Sequence, residues 1–466
     1  MVTIPMVNSI DPSPDLSHPA TGLSALARAC LAQRRRALIQ RFPAPVLLWS
    51  GQPVSRNFPA NTYPFRASSH FLYLAGLPLP GTALLLADGK ATLFMDDPDP
   101  GAALWHGPSP SPADQAEAIA AQAVYPLAEL PQHQGEAVHL PRNLAQATPS
   151  QRALVQALVE LRLSHDDWAL AELRWAAQVS VLAHQAGMAA TRHATTEAEV
   201  RAAIEQVMMA HQCPCAYNSI VTTHGEVLHN DHYHHPLHPG DLLLVDAGAE
   251  TPLGWAADIT RTWPVSGRFL PPQRDLYNVV LAAHDACIAA AKPGVEYRDL
   301  HLLACRTLAA GLVDLGILRG QPEDLVERDV HALFFPHGVG HLLGLDVHDM
   351  EDLGDEAGYA PGRRRSPRFG LGFLRLDRLL APRMVVTLEP GFYQVPGILG
   401  PARQSGQYDG AVNWDRLDAF ATVRGIRIED DVLITTDSCE TLTAALPTET
   451  TTLETWVQRG SAIPLV

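Results

Sequence analysis

Five residues of the types that bind divalent metal ions are spread over the second half of the sequence. Four are carboxylates and one is an imidazole: Asp246, Asp258, His341, Glu389 and Glu429. Hard and borderline divalent cations prefer oxygen ligands with an occasional imidazole, and one carboxylate can bridge two ions. A closed structural zinc site would instead draw on cysteines and several histidines. The set therefore predicts a hydrolytic centre with two metal ions.

The first two carboxylates are expected to lie side by side on a hairpin. Asp246 ends the apolar run Leu242–Val245, and the turn-forming residues Pro252 and Gly254 separate it from Asp258. Two neighbouring carboxylates repel each other and resist ionisation unless a cation lies between them. Either residue alone is typical of an ordinary strand end, but the pair favours a metal site.

The other three candidates also flank apolar segments. His341 lies in a glycine-rich stretch with three histidines, residues 337–348, and Glu389 ends a strand-like run. A buried glutamate needs a partner, and strand alternation puts Arg427 and Glu429 on one face. A solvated strand end for Glu389, and an exposed ion pair for Arg427 and Glu429, stay open as alternatives at this point.

The elements around these residues predict an α+β fold, because helices and strands interleave without the strict alternation of a doubly wound sheet. Two long segments, 224–240 and 351–380, are expected to be loops over the site. Helices are predicted over 24–41, 113–124, 150–161, 271–292 and 298–315, with two more between 166 and 212. Ser24 is predicted to cap the first, because its hydroxyl can accept a hydrogen bond from a free amide of the first turn. Strands are predicted over 46–49, 83–87, 91–94, 219–223, 241–247, 259–264, 331–336, 384–388 and 425–434.

The length of 466 residues suits two domains. Residues 1–20 are polar and proline-rich and are expected to form a disordered tail. Residues 21–165 are predicted to form a first α/β domain. Residues 166–466 are predicted to form the second, which carries all five candidate ligands.

Charge and composition limit the classes of partner. Lys and Arg number 34 against 50 Asp and Glu, a formal charge of −16, which disfavours nucleic acid and anionic membranes as partners. The sequence has neither an apolar run of membrane-spanning length nor the pattern of a secretory leader. We therefore expect a cytoplasmic protein with no membrane partner, whose six cysteines stay reduced.

The sequence motifs around the candidate ligands resemble those of the creatinase, aminopeptidase P and prolidase group of metallopeptidases, whose catalytic fold is called pita-bread. The motifs at 337–349 and 425–431 are the most specific, and the resemblance covers about residues 166–445. Motifs at 63–66, 71–76 and 104–107 resemble those of the amino-terminal domain of the group. The resemblance implies an amino-terminal creatinase-like α/β domain followed by a pita-bread catalytic domain.

The resemblance also implies a metal role for each matching ligand. Asp246 would chelate one ion, His341 and Glu389 would bind the other, and Asp258 and Glu429 would bridge the pair. Manganese(II) is the metal that the group uses most often. A hydroxide bound between the two ions would attack the peptide bond, since both charges lower the pKa of the water.

Further catalytic and supporting residues follow from the same resemblance. Glu389 would also shuttle a proton to the leaving imino nitrogen, and His348 would stabilise the tetrahedral oxyanion. His229 and His337 would shape the substrate pocket. Arg427 would orient Asp258 or a bridging carboxylate.

The resemblance predicts an Xaa-Pro aminopeptidase, which hydrolyses the bond between an N-terminal residue and a following proline. An Xaa-Pro dipeptidase (prolidase) is the alternative, because Leu374–Arg378 resembles a prolidase motif in which an arginine binds the carboxylate of the dipeptide. Arg375 is the matching residue, and a surface-turn role for it stays open. A metal-free peptide-binding module is a third alternative, which the complete ligand set disfavours. Proline-containing peptides are the expected substrates, and a homodimer or tetramer is the expected assembly.

Overall fold

A computed structural model describes residues 23–460 of the chain. The predicted tail, residues 1–20, lies outside the described residues. Among those described, no helix combines the length and the apolar character needed to cross a bilayer.

The first part of the chain is built on one four-stranded sheet. Its strands follow the order Val46–Trp49, Ala83–Ala87, Lys90–Phe94 and Ala123–Tyr125, of which the last joins in parallel and the others are antiparallel. The helices of this part are Ala25–Arg41, Ser69–Ala75, Ala102–His106, Pro112–Ala118, Leu130–His133 and Pro149–Arg162.

Two local predictions in this part have different outcomes. The first helix begins where its cap was predicted, because the Ser24 hydroxyl accepts a hydrogen bond of 3.1 Å from the Ala27 amide. The helix predicted over 113–124 is too long. It ends at Ala118, and Ala120 adopts a positive φ of 54° that turns the chain into the fourth strand.

The second part has three small antiparallel sheets among long helices. The strands are Ile220–Thr222, Leu242–Asp246 and Thr260–Pro264; then Val385–Leu388, Asp430–Ile434 and Cys439–Thr441; and the pair Gly391–Tyr393 and Gly425–Arg427. The helices are Asp167–Thr191, Glu197–Ala210, Pro271–Ala290, Tyr297–Asp314, Pro322–Glu327, Asp355–Gly358, Pro396–Ser405, Trp414–Asp418 and Thr450–Arg459.

Two strand predictions in this part are wrong. The segment 331–336 is not a strand, since Val330–Leu333 forms a 3-10 helix after Asp329 turns the chain with a φ of 57°. The strand predicted over 425–434 breaks before Asp430, because its two halves pair with different strands. Arg427 pairs with Gly391, whereas Asp430 pairs with Leu388.

The two parts share a hydrophobic core cluster. Leu31 and Phe71 of the first part pack in the same cluster as Trp168, Trp255 and Leu343 of the second. The buried guanidinium of Arg34 bonds the Asp166 carboxylate at 2.7 and 2.8 Å and lies over the Trp168 ring. The first part is therefore packed firmly against the part that carries the candidate site.

Candidate active site

The two aspartates lie on neighbouring antiparallel strands, as the sequence predicts. The register pairs Asp246 with Thr260, which leaves Asp258 opposite Gly248. A Cβ on Gly248 would lie 1.8 Å from the Ala257 carbonyl oxygen, so only glycine fits there. The hydroxyl of Tyr217 is 2.5 Å from a carboxylate oxygen of each aspartate, so both carboxylates meet at one polar atom.

His341 lies beside this pair with its ring fixed. Its Nδ1 is 2.9 Å from the Leu342 carbonyl, and a carbonyl can only accept, so Nδ1 carries the proton. The unprotonated Nε2 then points its lone pair at carboxylates: it is 3.4 Å from Asp258 Oδ2 and 3.9 Å from Glu389 Oε1. A backbone carbonyl that fixes the tautomer in this way is typical of a metal-binding histidine.

The two glutamates come from strand ends in different sheets. Glu389 directly follows the strand Val385–Leu388. Glu429 lies at the strand break described above, and its Oε2 accepts a 2.6 Å hydrogen bond from the Thr260 hydroxyl. Its Oε1 is buried and has no hydrogen-bond partner in the described part of the chain. A buried carboxylate oxygen without a partner is costly, and a cation would satisfy it.

The electrostatics of the carboxylates indicate the same need. Burial, and then repulsion from Asp246, raises the pKa of Asp258 well above its usual range. Burial and the Asp258 charge do the same to the pKa of Glu429, and burial raises the pKa of Glu389 to about 7. Burial lowers the pKa of His341, which keeps it in the neutral form that binds metals.

The donor set fits divalent metal ions. Ligand atoms of Asp258, His341 and Glu429 lie within 4.8 Å of one another, while Asp246 and Glu389 flank this group. Carboxylate oxygens with a single imidazole nitrogen suit ions such as manganese(II) or zinc(II). All five residues that the sequence singled out therefore meet in one cluster, in which Glu389 is half-buried and the other four are buried.

Arg427 lies behind the cluster, but its direct partner differs from the prediction. It donates to Asp246 at 2.5 Å and to the hydroxyls of Thr260 and Tyr393 at 3.0 Å each. It therefore reaches Glu429, one of the two expected bridging residues, only through Thr260. Asp246 was expected to bind a single ion.

Two of the three accessory histidines contact the candidate ligands. His337 bonds the Tyr393 hydroxyl at 2.9 Å, and its Nδ1 is 3.7 Å from Glu389. The ring of His348 stands edge-on to that of His341, with centroids 4.3 Å apart. Burial lowers the pKa of His337 to about 3 and also lowers that of His348, so both rings are neutral near pH 7.

The third accessory histidine and Arg375 lie farther from the candidate ligands. His229 is exposed; partial desolvation and then the Arg427 charge lower its pKa. The Arg375 guanidinium donates to Glu351 Oε2 at 2.6 Å, and the same oxygen is 3.5 Å from His348 Nδ1. Arg375 and Glu351 line a small cavity beside the cluster.

The sequence did not indicate four residues that the structure adds to the site: Tyr217, Thr260, Glu351 and Tyr393. Glu351 follows His348 by three residues, so the carboxylate close to a predicted histidine was a usable signal. The other three reach the site through pairings between distant segments, and hydroxyl residues in strands have no distinctive spacing.

The fold and the donor set together define a metal-dependent hydrolase. The chain belongs to metallopeptidase family M24, whose model matches residues 171–436. Residues 31–144 match the aminopeptidase P N-terminal domain. The expected fold, a creatinase-like amino-terminal domain and a pita-bread catalytic domain, is confirmed, and the protein is a metallo-exopeptidase.

Relatives and solved structures agree with this assignment. The chain is 34% identical to a probable Xaa-Pro aminopeptidase of Botryotinia fuckeliana, with 82% of this chain and 85% of that protein covered. It is also 34% identical to one of Talaromyces marneffei, at 82% and 86% coverage. Zinc-substituted Escherichia coli aminopeptidase P in complex with product has a TM-score of 0.76 at 27% identity, covering 94% of this chain and 99% of that one.

Proposed function

We propose that this protein is an Xaa-Pro aminopeptidase, which hydrolyses the bond between an N-terminal residue and a following proline. Five candidate ligands converge on one cluster, in which ligand atoms of Asp258, His341 and Glu429 lie within 4.8 Å of one another and Glu429 Oε1 has no hydrogen-bond partner among the described residues; this convergence supports the proposal most directly. The names of the curated relatives support the substrate class. So does the Escherichia coli enzyme solved with the inhibitor Pro-Leu.

The cluster is proposed to hold two divalent ions, with manganese(II) as the physiological metal. Asp246 would hold one ion, His341 and Glu389 the other, and Asp258 and Glu429 both. When bound, such ions acidify a water molecule and polarise the scissile carbonyl.

The side chains around the ions are proposed to transfer a proton, stabilise the oxyanion and contact the substrate. Glu389, whose pKa burial raises to about 7, would carry a proton to the proline nitrogen as the peptide bond breaks. His348 would donate its N–H to the carbonyl oxygen as negative charge develops. His337 and His229 would border the substrate pocket.

The pairing of Arg375 favours the aminopeptidase over the prolidase. A dipeptidase needs a free cationic group to bind the substrate carboxylate, whereas the Arg375 guanidinium is already paired with Glu351 at 2.6 Å. Tripeptides and longer peptides are therefore the proposed substrates, with Arg375 holding Glu351 beneath His348.

The proposal also covers the domain boundary, the cellular location and the oligomeric state. We place the boundary between the two domains near residue 165, between the helices Pro149–Arg162 and Asp167–Thr191. A cytoplasmic location suits the six free thiols. A homodimer or tetramer suits the exposure of Leu104 and Trp105, which are 80% and 79% exposed.

One comparison tests the activity. Metal-stripped protein is assayed on an Xaa-Pro-Yaa tripeptide, on the matching Xaa-Ala-Yaa tripeptide and on the Xaa-Pro dipeptide, before and after manganese is added. We expect cleavage of the Xaa-Pro-Yaa peptide alone to return strongly with metal. Equal cleavage of the alanine peptide, or cleavage restricted to the dipeptide, would contradict the proposal.

A further inference from the structure

A second group of metal-ligand side chains lies outside the candidate active site. His301 and Cys305 are four residues apart on the helix Tyr297–Asp314, so both project from one face of it. His331 comes from the 3-10 helix Val330–Leu333. The group contains none of the five candidate catalytic ligands, and no sequence pattern had indicated it.

The spacing of the Cys305 and His301 donor atoms fits one tetrahedral ion, and a ligand atom of His331 lies close to both. The Cys305 sulfur is 3.5 Å from His301 Nε2, and one ligand atom from each of the three residues lies within 4.8 Å of the others. Zinc binds sulfur at about 2.3 Å and imidazole nitrogen at about 2.0–2.1 Å, so two such ligands at a tetrahedral angle lie about 3.6 Å apart.

Burial leaves part of this polar group unsatisfied. His301 is 1% exposed, Cys305 0% and His331 4%. His301 Nδ1 and His331 Nδ1 have no hydrogen-bond partner anywhere in residues 23–460. Buried side-chain nitrogens are nearly always bonded, and a metal ion would satisfy the His331 atom; His301 binds through Nε2, so the ion leaves its Nδ1 as it is.

The protonation states suit a cation. Burial lowers the pKa of His301 to about 3 and that of His331 to about 4, so both imidazoles keep a lone pair at neutral pH. Burial holds the Cys305 thiol protonated in the absence of metal. On binding, the S–H bond breaks, a sulfur–metal bond forms and the proton leaves to solvent, as for other thiolate ligands.

We propose that His301, Cys305 and His331 form a separate metal site for a thiophilic divalent ion, zinc(II), with a non-protein ligand in the fourth position. The thiolate distinguishes this site from the oxygen-rich cluster, which suits manganese(II). The ion ties the helix Tyr297–Asp314 to the segment that leads to His337 and His341. Its role is structural, because no substrate reaches a site this deeply buried.

Cobalt(II) tests the proposal through the sulfur itself. The full-length chain is stripped of metal, loaded with cobalt(II) and examined for the near-ultraviolet thiolate-to-cobalt charge-transfer band. The five catalytic candidates contain no sulfur, so they cannot produce that band, and the readout is independent of whether the proposed activity is correct.

Three variants locate the band. It should vanish in Cys305→Ser and persist in Cys287→Ser, a matched control because Cys287 is equally buried and donates to the Leu300 carbonyl. It should also persist in Asp258→Asn. Absence of the band from the unmodified protein, or its survival in Cys305→Ser, would overturn the proposal.

X-ray absorption of the zinc-loaded protein keeps the test decisive if Cys305→Ser does not fold. The proposal predicts a sulfur neighbour at about 2.3 Å from part of the zinc. A spectrum with oxygen and nitrogen neighbours alone would show that Cys305 merely donates a hydrogen bond to His301.

Discussion

Removal of the Thr260 hydroxyl is expected to weaken metal binding without altering any candidate ligand. This buried hydroxyl donates to Glu429 Oε2 at 2.6 Å and accepts from Arg427 at 3.0 Å. Thr260→Val keeps the size and branching of the side chain but leaves both charged partners short of one bond. A hydrogen bond to a charged group contributes about 1.5–3 kcal/mol, which corresponds to roughly 10- to 150-fold in affinity.

Calorimetric titration of manganese(II) into metal-stripped protein measures this effect, and graded reactivation of tripeptide cleavage provides an independent check. Thr260→Ser retains the hydroxyl and should bind nearly as the unmodified protein does. Thr262→Val is the matched control, since Thr262 is equally buried on the same strand but bonds only the Arg427 backbone. Equal affinity in Thr260→Val and the unmodified protein would refute the positioning of Glu429 by Thr260.

Four further predictions follow from the same geometry. Asp258→Asn should abolish activity while the protein stays folded, because an amide cannot balance two cations; normal turnover with full metal content would contradict the ligand assignment. His348→Ala should lower kcat by roughly 10²–10³-fold with little change in KM, as for loss of an oxyanion donor; a change in KM alone would place His348 in substrate binding. Arg375→Ala should slow tripeptide cleavage and the weak residual cleavage of the dipeptide by similar factors; a selective dipeptide loss of roughly one to two orders would favour the prolidase. Burial opposes ionisation of Asp166, but the Arg34 charge outweighs burial and lowers the pKa of Asp166. The free energy of unfolding should therefore fall as the pH drops below about 4. Urea titrations should show a smaller fall in Arg34→Met.

Much of the site could be predicted because its ligands carry local signals. Asp246 and Glu389 both end apolar runs that form strands, and turn residues between Asp246 and Asp258 define a hairpin. In the same way, Ser24 preceding a helical pattern identifies a cap. Signals of this kind depend on a few neighbouring residues and do not need the tertiary fold.

The parts that failed depend on contacts between distant segments. The partner of Arg427 is set by the strand break before Asp430, where Arg427 pairs with Gly391 and Asp430 pairs with Leu388. These pairings direct the guanidinium to Asp246 instead of a bridging carboxylate. The bond between Thr260 and Glu429 crosses 169 residues of sequence. The apolar content of 331–336 favours a strand, but tertiary packing holds Val330–Leu333 as a 3-10 helix instead.

The proposed activity requires that the five converging side chains hold two metal ions. Anomalous diffraction at the manganese edge, from crystals of the manganese-loaded protein, measures this most directly. We expect two peaks about 3.5–4 Å apart, as in other two-metal sites, with Asp258 and Glu429 touching both. A single peak, or peaks away from Asp246, His341 and Glu389, would contradict it.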